Sequence, residues 1–286
     1  MPDGGMCAVV LAAGEGRRLR PLTDHTPKAL CPVGNVAPLD SALDRIAGLG
    51  LRGPDAVAVN ACHLRDQIVA HVGDRAHLSV EADGPLGTAG GVGRLRPWID
   101  GRAVLVGNAD AYLADAGRPP GPDIAALLDG WAGTTVRMLT RPAAPGEAGE
   151  FSGQRFAGFS LLPWRYAAAL AARPSSLVHE VWRPAEAAGR LELVPYRGTY
   201  LDTGTPRDYL AANLHAAGGV LVDPSATVTG RCVAAVVGAR AVVRGDVTRA
   251  VVWPDGRVDP GECLVDAVRV GRDLTVPCGI PRSGRD

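Results

Sequence analysis

Through the first two hundred positions the apolar residues fall into short runs of two kinds. "MCAVVLAAG" (6–14) is a continuous aliphatic run that stops at glycine, which predicts a buried strand. "PLDSALDRIAGLG" (38–50) opens on proline and closes on glycine. It sets Leu39, Leu43 and Ile46 on one face of a 3.6-residue period, which predicts a helix. The alternation continues with a strand over 55–61, a helix over 63–72, a strand over 77–82, a helix around 88–98 and a strand over 103–110. A helix is expected at 123–132, strands at 134–140 and 156–162, and helices around 164–172 and 178–188. Strands at 191–196 and 199–202 and a closing helix at 206–217 complete the series. Strands alternating with helices predict an α/β fold, a Rossmann-like layer with a mostly parallel mixed sheet covered on both faces.

The period changes after Gly219. Val222 and Val228, Val237 and Val243, then Val252, Val258, Leu264, Val270 and Val276 recur at spacings of six, with gaps of nine from 228 to 237 and from 243 to 252. Glycine or proline falls between them. A fixed short period predicts a solenoid whose coils bury a shared core. Six residues per face and three faces per turn describe a left-handed parallel β-helix of about three coils at ~18 residues each. So few coils need a cap or a partner. The expected division is therefore residues 1–218 and residues 219–286, with self-association through the second part.

Composition narrows the partners. The 286 residues are 47% hydrophobic and 21% charged with a formal net charge of zero, so no basic field points to nucleic acid or to a membrane surface. No secretory leader and no apolar run near 18 residues is visible, and a cytoplasmic location is expected. The six cysteines form no C-x-x-C pair, which suggests neither zinc nor a disulfide framework. One detail stands apart. Of the 30 basic residues only Lys28 is lysine. A compact ammonium and a planar guanidinium are not interchangeable where phosphates crowd together.

The neighbours of Lys28 supply a context. The first strand runs into "LAAGEGRRLRPLTDHTPKAL" (11–30). Gly14 and Gly16 allow backbone N–H groups to approach a polyphosphate, and Arg17, Arg18 and Arg20 follow at once. Such a segment is an anion trap just past a strand's carboxyl end, where open α/β sheets bind ligands. It is not a dinucleotide fingerprint, because Leu19 stands where a third glycine belongs, and no Gly-Lys-Ser/Thr makes it a P-loop.

"LAAGEGRRLRPLTDHTPKALCPVGN" resembles the signature of the sugar-1-phosphate nucleotidylyltransferases, with Arg17 replacing the usual threonine. "PLGTAGG" (85–91) is similar to that family's base-binding loop, "VGNAD" (106–110) to its V-x-N-G-D and "YLDTGTPRDYLAAN" (200–213) to its closing motif. The 182–206 stretch looks like a short bacterial uridylyltransferase branch, whereas the repeat tail looks like that of mannose-1-phosphate guanylyltransferases. The resemblance implies attack by a sugar 1-phosphate on the α-phosphorus of a nucleoside triphosphate, with pyrophosphate leaving. It implies that Arg18 holds the triphosphate, that Lys28 sits by the reacting phosphates, and that Asp110 and Asp202 bind Mg²⁺. Ala12, Ala13, Gly14, Glu15, Gly16, Arg17, Gly87 and Thr88 are the implied nucleotide contacts. Gly158 and Glu180 are candidates for the acceptor. Arg141 is a candidate substitute for a sugar-phosphate lysine that many relatives carry and this chain lacks. Ala109 replaces the sugar-site glycine. These departures leave nucleotidyl transfer intact and keep open a cyclitol or other non-sugar phosphate as acceptor, or a non-catalytic regulatory homologue. GTP is set slightly ahead of UTP and ATP because of the tail. Trp164, Trp182 and Trp253 read as packing residues.

Overall fold

Each residue of the first strand faces one of two cores. In the computed structural model, which describes residues 5–144 and 146–279, the chain begins with β1 (Met6–Leu11), α1 (Pro38–Gly48), β2 (Val57–Ala61), α2 (Arg65–Val72) and β3 (His77–Val80). There follow α3 (Gly87–Arg94), α4 (Arg96–Ile99), β4 (Ala103–Asn108), β5 (Tyr112–Ala114), β6 (Val136–Pro142) and β7 (Gln154–Leu162). After α5 (Trp164–Ala168) come α6 (Arg183–Ala187), β8 (Leu191–Pro195), β9 (Thr199–Leu201) and α7 (Pro206–Ala217).

Seven strands form one sheet in the order β3-β2-β1-β4-β7-β6-β8. β1 pairs parallel with β2 and with β4, and β2 pairs parallel with β3. β7 enters antiparallel between β4 and β6, so the sheet is mixed and mostly parallel. Ala8 and Val10 pack with Leu39 and Ile46 of α1 and Ile68 of α2. Cys7 and Val9 pack on the opposite face with Ala89 and Val92 of α3 and Ala167 of α5. This two-sided burial is why β1 reads as an unbroken apolar run rather than an alternating one. Among the described residues no helix is long and apolar enough to cross a membrane.

Two expected helices differ in detail. The segment 123–132 holds only a 3₁₀ turn, Ala125–Leu127. Ile124, Leu127 and Trp131 do bury at helical spacing. Gly121 and Gly130, both at positive φ, bracket too few residues for a stable helix, and Asp123 is drawn into a buried ion pair with Arg45 at 2.9 Å. The helix expected over 178–188 begins as a π-turn, Val178–Trp182, before α6. Pro184 has no N–H to give the Glu180 carbonyl, and the Arg183 N–H bonds back five residues to Val178.

The chain divides by contact into two compact units. One comprises residues up to Glu15, Pro27–Leu30 and Leu39–Tyr200; the other comprises Gly16–Thr26, Cys31–Pro38 and the chain from Leu201 onward. In the second unit α7 is followed by β10 (Val220–Val222), β11 (Thr227–Val228), β12 (Cys232–Val237), β13 (Val242–Val243) and β14 (Asp246–Val252). β15 (Arg257–Val258), β16 (Cys263–Val270) and β17 (Leu274–Pro277) complete it. β10, β12, β14 and β16 stack in parallel, β17 closes that sheet antiparallel, and β11, β13 and β15 form a second parallel sheet.

The register repeats every 15 residues through Val228, Val243 and Val258 and from β10 to β12 to β14, and after 17 from β14 to β16, rather than every ~18. Up to Val258 the spacing of six joins a sheet strand to the next short one and the gap of nine returns to the following long strand; from Val258 the return to Leu264 of β16 is also six. The long strands bend at Ala234, Arg249 and Asp266, all at left-handed φ. A single corner residue there shortens the turn. Alanines and valines fill the interior, among them Ala235, Val237, Val243, Ala250, Val252 and Val258. Arg249 forks onto Asp266 at 2.7 and 2.6 Å, and Arg240 onto Asp255 at 2.8 and 2.7 Å.

Within this unit the segment 31–38 is tied down by α7 and the tail. The Trp253 indole N–H donates to the Tyr209 hydroxyl at 2.9 Å, and that hydroxyl donates to the Pro32 carbonyl. The Gly34 N–H donates to Asn213, and Asn35 donates to the Val237 carbonyl, each at 3.0 Å. Tyr209 is fully buried, so Tyr209→Phe strands one donor and one acceptor. We expect a loss of about 1–3 kcal/mol, lowering the melting temperature by several degrees. A thermal melt of the variant beside wild type checks it.

Candidate active site

The glycine loop leaves the sheet through a buried polar contact. Beyond Leu11 the Ala12 N–H donates to Asn60 Oδ1 at 2.7 Å, and Asn60 Nδ2 donates to Glu81 Oε1 at 2.7 Å. Glu81 Oε2 accepts the Leu86 N–H at 2.8 Å. Asn60 and Glu81 are each 1% exposed. Ala12 and Ala13 are buried and Gly14 is exposed, with nothing within 4 Å of the place a Cβ would occupy. Glu15 is half-buried. Leu86 leads into α3, whose glycines permit close packing. Gly87 takes a φ of +70°, and a Cβ on it would meet the Ser175 carbonyl oxygen at 2.4 Å. A Cβ on Gly91 would sit 2.6 Å from Asn60 Nδ2. The Thr88 hydroxyl accepts the Leu177 N–H at 2.8 Å, so it also fixes the backbone of the next segment.

In the same unit Lys28 Nζ lies 2.6 Å from Asp110 Oδ2. Lys28 sits in a 3₁₀ turn, Lys28–Leu30, closed by the Leu30 N–H on the Pro27 carbonyl at 2.8 Å and anchored by buried Ala29. Its side chain is 11% exposed and that of Asp110 38%. Asp110 follows β4 directly after buried Ala109, whose N–H bonds the Leu11 carbonyl at 3.1 Å. The ammonium is thus sequestered while its carboxylate partner still meets solvent.

The second unit carries the arginines. Gly16 takes a left-handed φ of 62°, and its carbonyl accepts the Thr23 hydroxyl at 3.0 Å. Leu19 and Leu22 are buried, which leaves Arg17, Arg18 and Arg20 pointing to solvent. Arg18 Nη2 stands 3.7 Å from Asp202 Oδ2. Asp202 precedes α7, whose start explains the "TGTPRDY" motif locally. Thr205 is the N-cap and accepts the Asp208 N–H, and Pro206 occupies the first turn.

Of the acceptor candidates, Arg141 leads into the β6–β7 hairpin and binds Glu147 with both terminal nitrogens, at 2.7 and 2.8 Å. Its guanidinium also lies 5.4 Å from the Tyr200 ring centroid. Gly158 occupies β7 at a φ of +86°, where the pairing of β6 with β7 shifts register between Met138 and Thr140. Tyr200 Cε2 is 3.9 Å from the Cβ position of Gly158, so Gly158, Tyr200 and Arg141 share one neighbourhood. Glu180, on the π-turn, contacts Arg173 at 3.4 Å. Trp182 and Trp253 are buried packing residues, with Trp182 against Phe151 and Phe156.

Asn60 and Glu81 were missing from the sequence reading. The signal that marks them is modest: Asn60 is a polar residue near the carboxyl end of an otherwise apolar strand run, and Glu81 follows directly after the strand "HLSV". Among the described residues no cluster of three or more His, Cys, Asp or Glu side chains could hold a metal. A solvent-facing carboxylate such as Asp110 still fits a hard cation that takes one or two protein carboxylates and draws its other ligands from water and substrate phosphate.

The carboxyl edge of the sheet thus carries a glycine loop, a sequestered lysine and a half-exposed aspartate. Residues 7–117 match the family model described as nucleotidyl transferase. Its relatives act on sugar phosphates by name. The chain is 37% identical over 111 residues to an N-acetylmuramate alpha-1-phosphate uridylyltransferase of Neisseria meningitidis, covering 37% of this chain and 47% of that protein. It is 28% identical over 242 residues to one of Caulobacter vibrioides, covering 74% and 97%. It is 27% identical over 278 residues to "Probable mannose-1-phosphate guanylyltransferase 2" of Arabidopsis thaliana, covering 79% and 74%. A solved Bacillus anthracis structure, titled "Putative Glucose-1-Phosphate Thymidylyltransferase", superposes with a TM-score of 0.63 at 17% identity, over 74% of this chain and 95% of that one. That likeness shows the fold.

The Arg141 fork and the Ala144 N–H hold the Glu147 carboxyl down at about 2. Because the folded value lies below the ordinary one of 4.5, the pair stabilises the hairpin above the unfolded pKa and is lost as pH falls toward the folded value. Carbon-13 titration of the Glu147 carboxyl should show a midpoint near that low value, and Arg141→Ala should return it toward 4.5.

Proposed function

We propose that the protein transfers a nucleoside monophosphate from a nucleoside triphosphate to a sugar 1-phosphate. A phosphate oxygen of the acceptor bonds to the α-phosphorus. The bond from that phosphorus to the α–β bridging oxygen breaks, and pyrophosphate leaves with the electron pair. Both reactants are anions, so the chain's work is charge neutralisation and in-line positioning. The observation that carries the reading is the sequestered Lys28 ammonium held 2.6 Å from half-exposed Asp110, on loops beside the glycine segment. Lys28 neutralises charge at the α-phosphate, and Arg18 binds the triphosphate and the departing pyrophosphate. Ala12 through Arg17, with Gly87 and Thr88, surround the nucleotide. Arg141, Gly158 and Glu180 face the acceptor. Asp110 and Asp202 are the proposed ligands of Mg²⁺, which when bound supplies Lewis-acid neutralisation of the phosphates.

The stacked parallel strands of the tail support a left-handed β-helix through which the chain self-associates, and sedimentation of the full chain reads that state. The tail's resemblance to guanylyltransferases sets GTP ahead of UTP and ATP. The second reading, a cyclitol or other non-sugar phosphate as acceptor, is favoured by Ala109 and by an arginine, Arg141, where many relatives use lysine. A cytoplasmic location accords with substrates of this kind. The test is a panel of each NTP against sugar, cyclitol and choline phosphates, followed by pyrophosphate release with Mg²⁺ and with EDTA. Release with no acceptor in the panel overturns the reading, and so does full turnover in EDTA for the metal ligands.

Lys28→Arg should lower kcat by roughly 10²-fold or more with a much smaller change in NTP affinity. A planar fork in an 11%-exposed site would displace a phosphate by about an ångström. Steady-state kinetics beside a melting curve check it. Retention of more than about a third of wild-type kcat shows that the point charge is dispensable.

A further inference from the structure

Two buried residues that sit behind the nucleotide loops are linked in a chain whose polarity can be read atom by atom. The Ala12 N–H donates to Asn60 Oδ1, Asn60 Nδ2 donates to Glu81 Oε1, and Glu81 Oε2 accepts from the Leu86 N–H, at 2.7, 2.7 and 2.8 Å. An amide side chain must present oxygen to one neighbour and nitrogen to the other, whereas an ionised carboxylate can only accept. The order is therefore fixed: the amide faces the glycine loop and the carboxylate faces the loop before α3. We infer that Asn60 and Glu81 are positioning residues that lock the phosphate-loop backbone at Ala12 to the base-loop backbone at Leu86, and thereby set NTP affinity without touching the nucleotide. The inference rests on the proposed nucleotidyl transfer and assigns that site a support no family motif quoted above contains.

Three observations favour a positioning role over generic packing. Both residues are 1% exposed, so neither is placed to contact solvent-borne ligand. Each oxygen and nitrogen in the chain has one partner of the right kind. Gly91 in α3 has no room for a methyl group, with Asn60 Nδ2 at 2.6 Å and Glu81 Oε1 at 3.2 Å from its Cβ position; the pair cannot slide along the helix. The Ala12 N–H, committed to Asn60, contributes by orienting the two residues after it.

The polarity makes a reciprocal test available. In Asn60→Asp two carboxylate oxygens face each other across the central contact. In Glu81→Gln the new amide must turn its nitrogen toward either Asn60 Nδ2 or the Leu86 N–H, both donors. The double variant Asn60→Asp/Glu81→Gln reverses the central bond. The carboxylate then at position 60 accepts from the Ala12 N–H and from the amide at position 81, whose oxygen accepts from the Leu86 N–H, at the same net charge.

The experiment measures GTP and UTP affinity by titration calorimetry, with KM, kcat and melting temperature, for wild type, both single variants and the double. We expect each single variant to weaken NTP affinity and raise KM roughly tenfold while kcat stays within about threefold. The double variant should return both to within about threefold of wild type. Single variants that only lower the melting temperature, with affinity intact, overturn the inference. So does a double variant that fails to fold, or that folds and keeps the raised KM. Single variants that fail to fold leave the double variant's recovery to decide. Wild type that binds NTP without turnover sinks the transfer reading alone, because the affinity comparison still decides the relay; wild type that binds no NTP overturns both.

Discussion

Everything at the candidate site depends on the register of β1 between its two parallel neighbours. Leu11 pairs with Asn60 on one side and with Asn108 on the other, and Ala61 pairs with Val80 one strand further out. Parallel ladders bring strand carboxyl ends to one edge of a sheet. This register brings Ala12, Asn60, Glu81 and Ala109 out at nearly the same level. A slip of one residue would turn every side chain of β1 to the other face and exchange the two cores. Complete burial of Cys7, Ala8, Val9 and Val10 penalises that slip. The hydrophobic cores therefore do more than stabilise the sheet: they determine which loops stand side by side.

The candidate charges are already paired. Lys28 holds Asp110 at 2.6 Å, Arg18 stands 3.7 Å from Asp202, and Arg141 forks onto Glu147. The three pairs differ in strength for a physical reason. The first is short and its cation is 11% exposed, so solvent screens it little. The second is long, and its side chains are 69% and 47% exposed, where such a pair is worth about 0–1 kcal/mol. A polyanion can re-aim Arg18 at small cost, whereas Lys28 stays where the fold puts it. In a chain with no net charge, attraction for an anion is local, not a field of the whole molecule.

Most of the fold was legible because it follows from periodicity. The aliphatic runs at 6–14 and 103–110 mark buried strands, and the bounds of α7 match the 206–217 reading because Thr205, Pro206 and Gly218 are strong local signals. Three features were not legible. The π-turn at Val178–Trp182 depends on a single missing N–H at Pro184. The irregular segment at 123–132 depends on the Asp123–Arg45 pair, whose partners lie far apart in sequence. The tail showed its hexads, but its coils of 15 and 17 residues depend on corner residues at left-handed φ, and Ala234 and Arg249 give no compositional sign of that conformation. At the site, charged residues in dense motifs were visible and Asn60 was not. A lone asparagine in "DAVAVNA" carries no period and no motif; only the N–H and carboxylate on either side give it meaning.

The site therefore divides its work between two kinds of group. The backbone of the glycine loop and of the start of α3 is fixed by fully satisfied buried contacts: the Ala12–Asn60 bond, the Thr88–Leu177 bond, and glycines that admit neighbouring chain. Of the candidate cations, Arg18 is left at the surface beside Asp202, and Lys28 and Arg141 are less exposed, each with a carboxylate partner. The separation has an energetic reason. A buried, unpaired charge costs several kcal/mol, while a buried satisfied amide costs little and holds its geometry. Lys28 sits between these regimes, buried enough to be fixed and paired with a carboxylate open enough to exchange its partner. A lysine can serve there because its three donors radiate from one small centre, and in this chain it is the single place where the sequence departs from arginine.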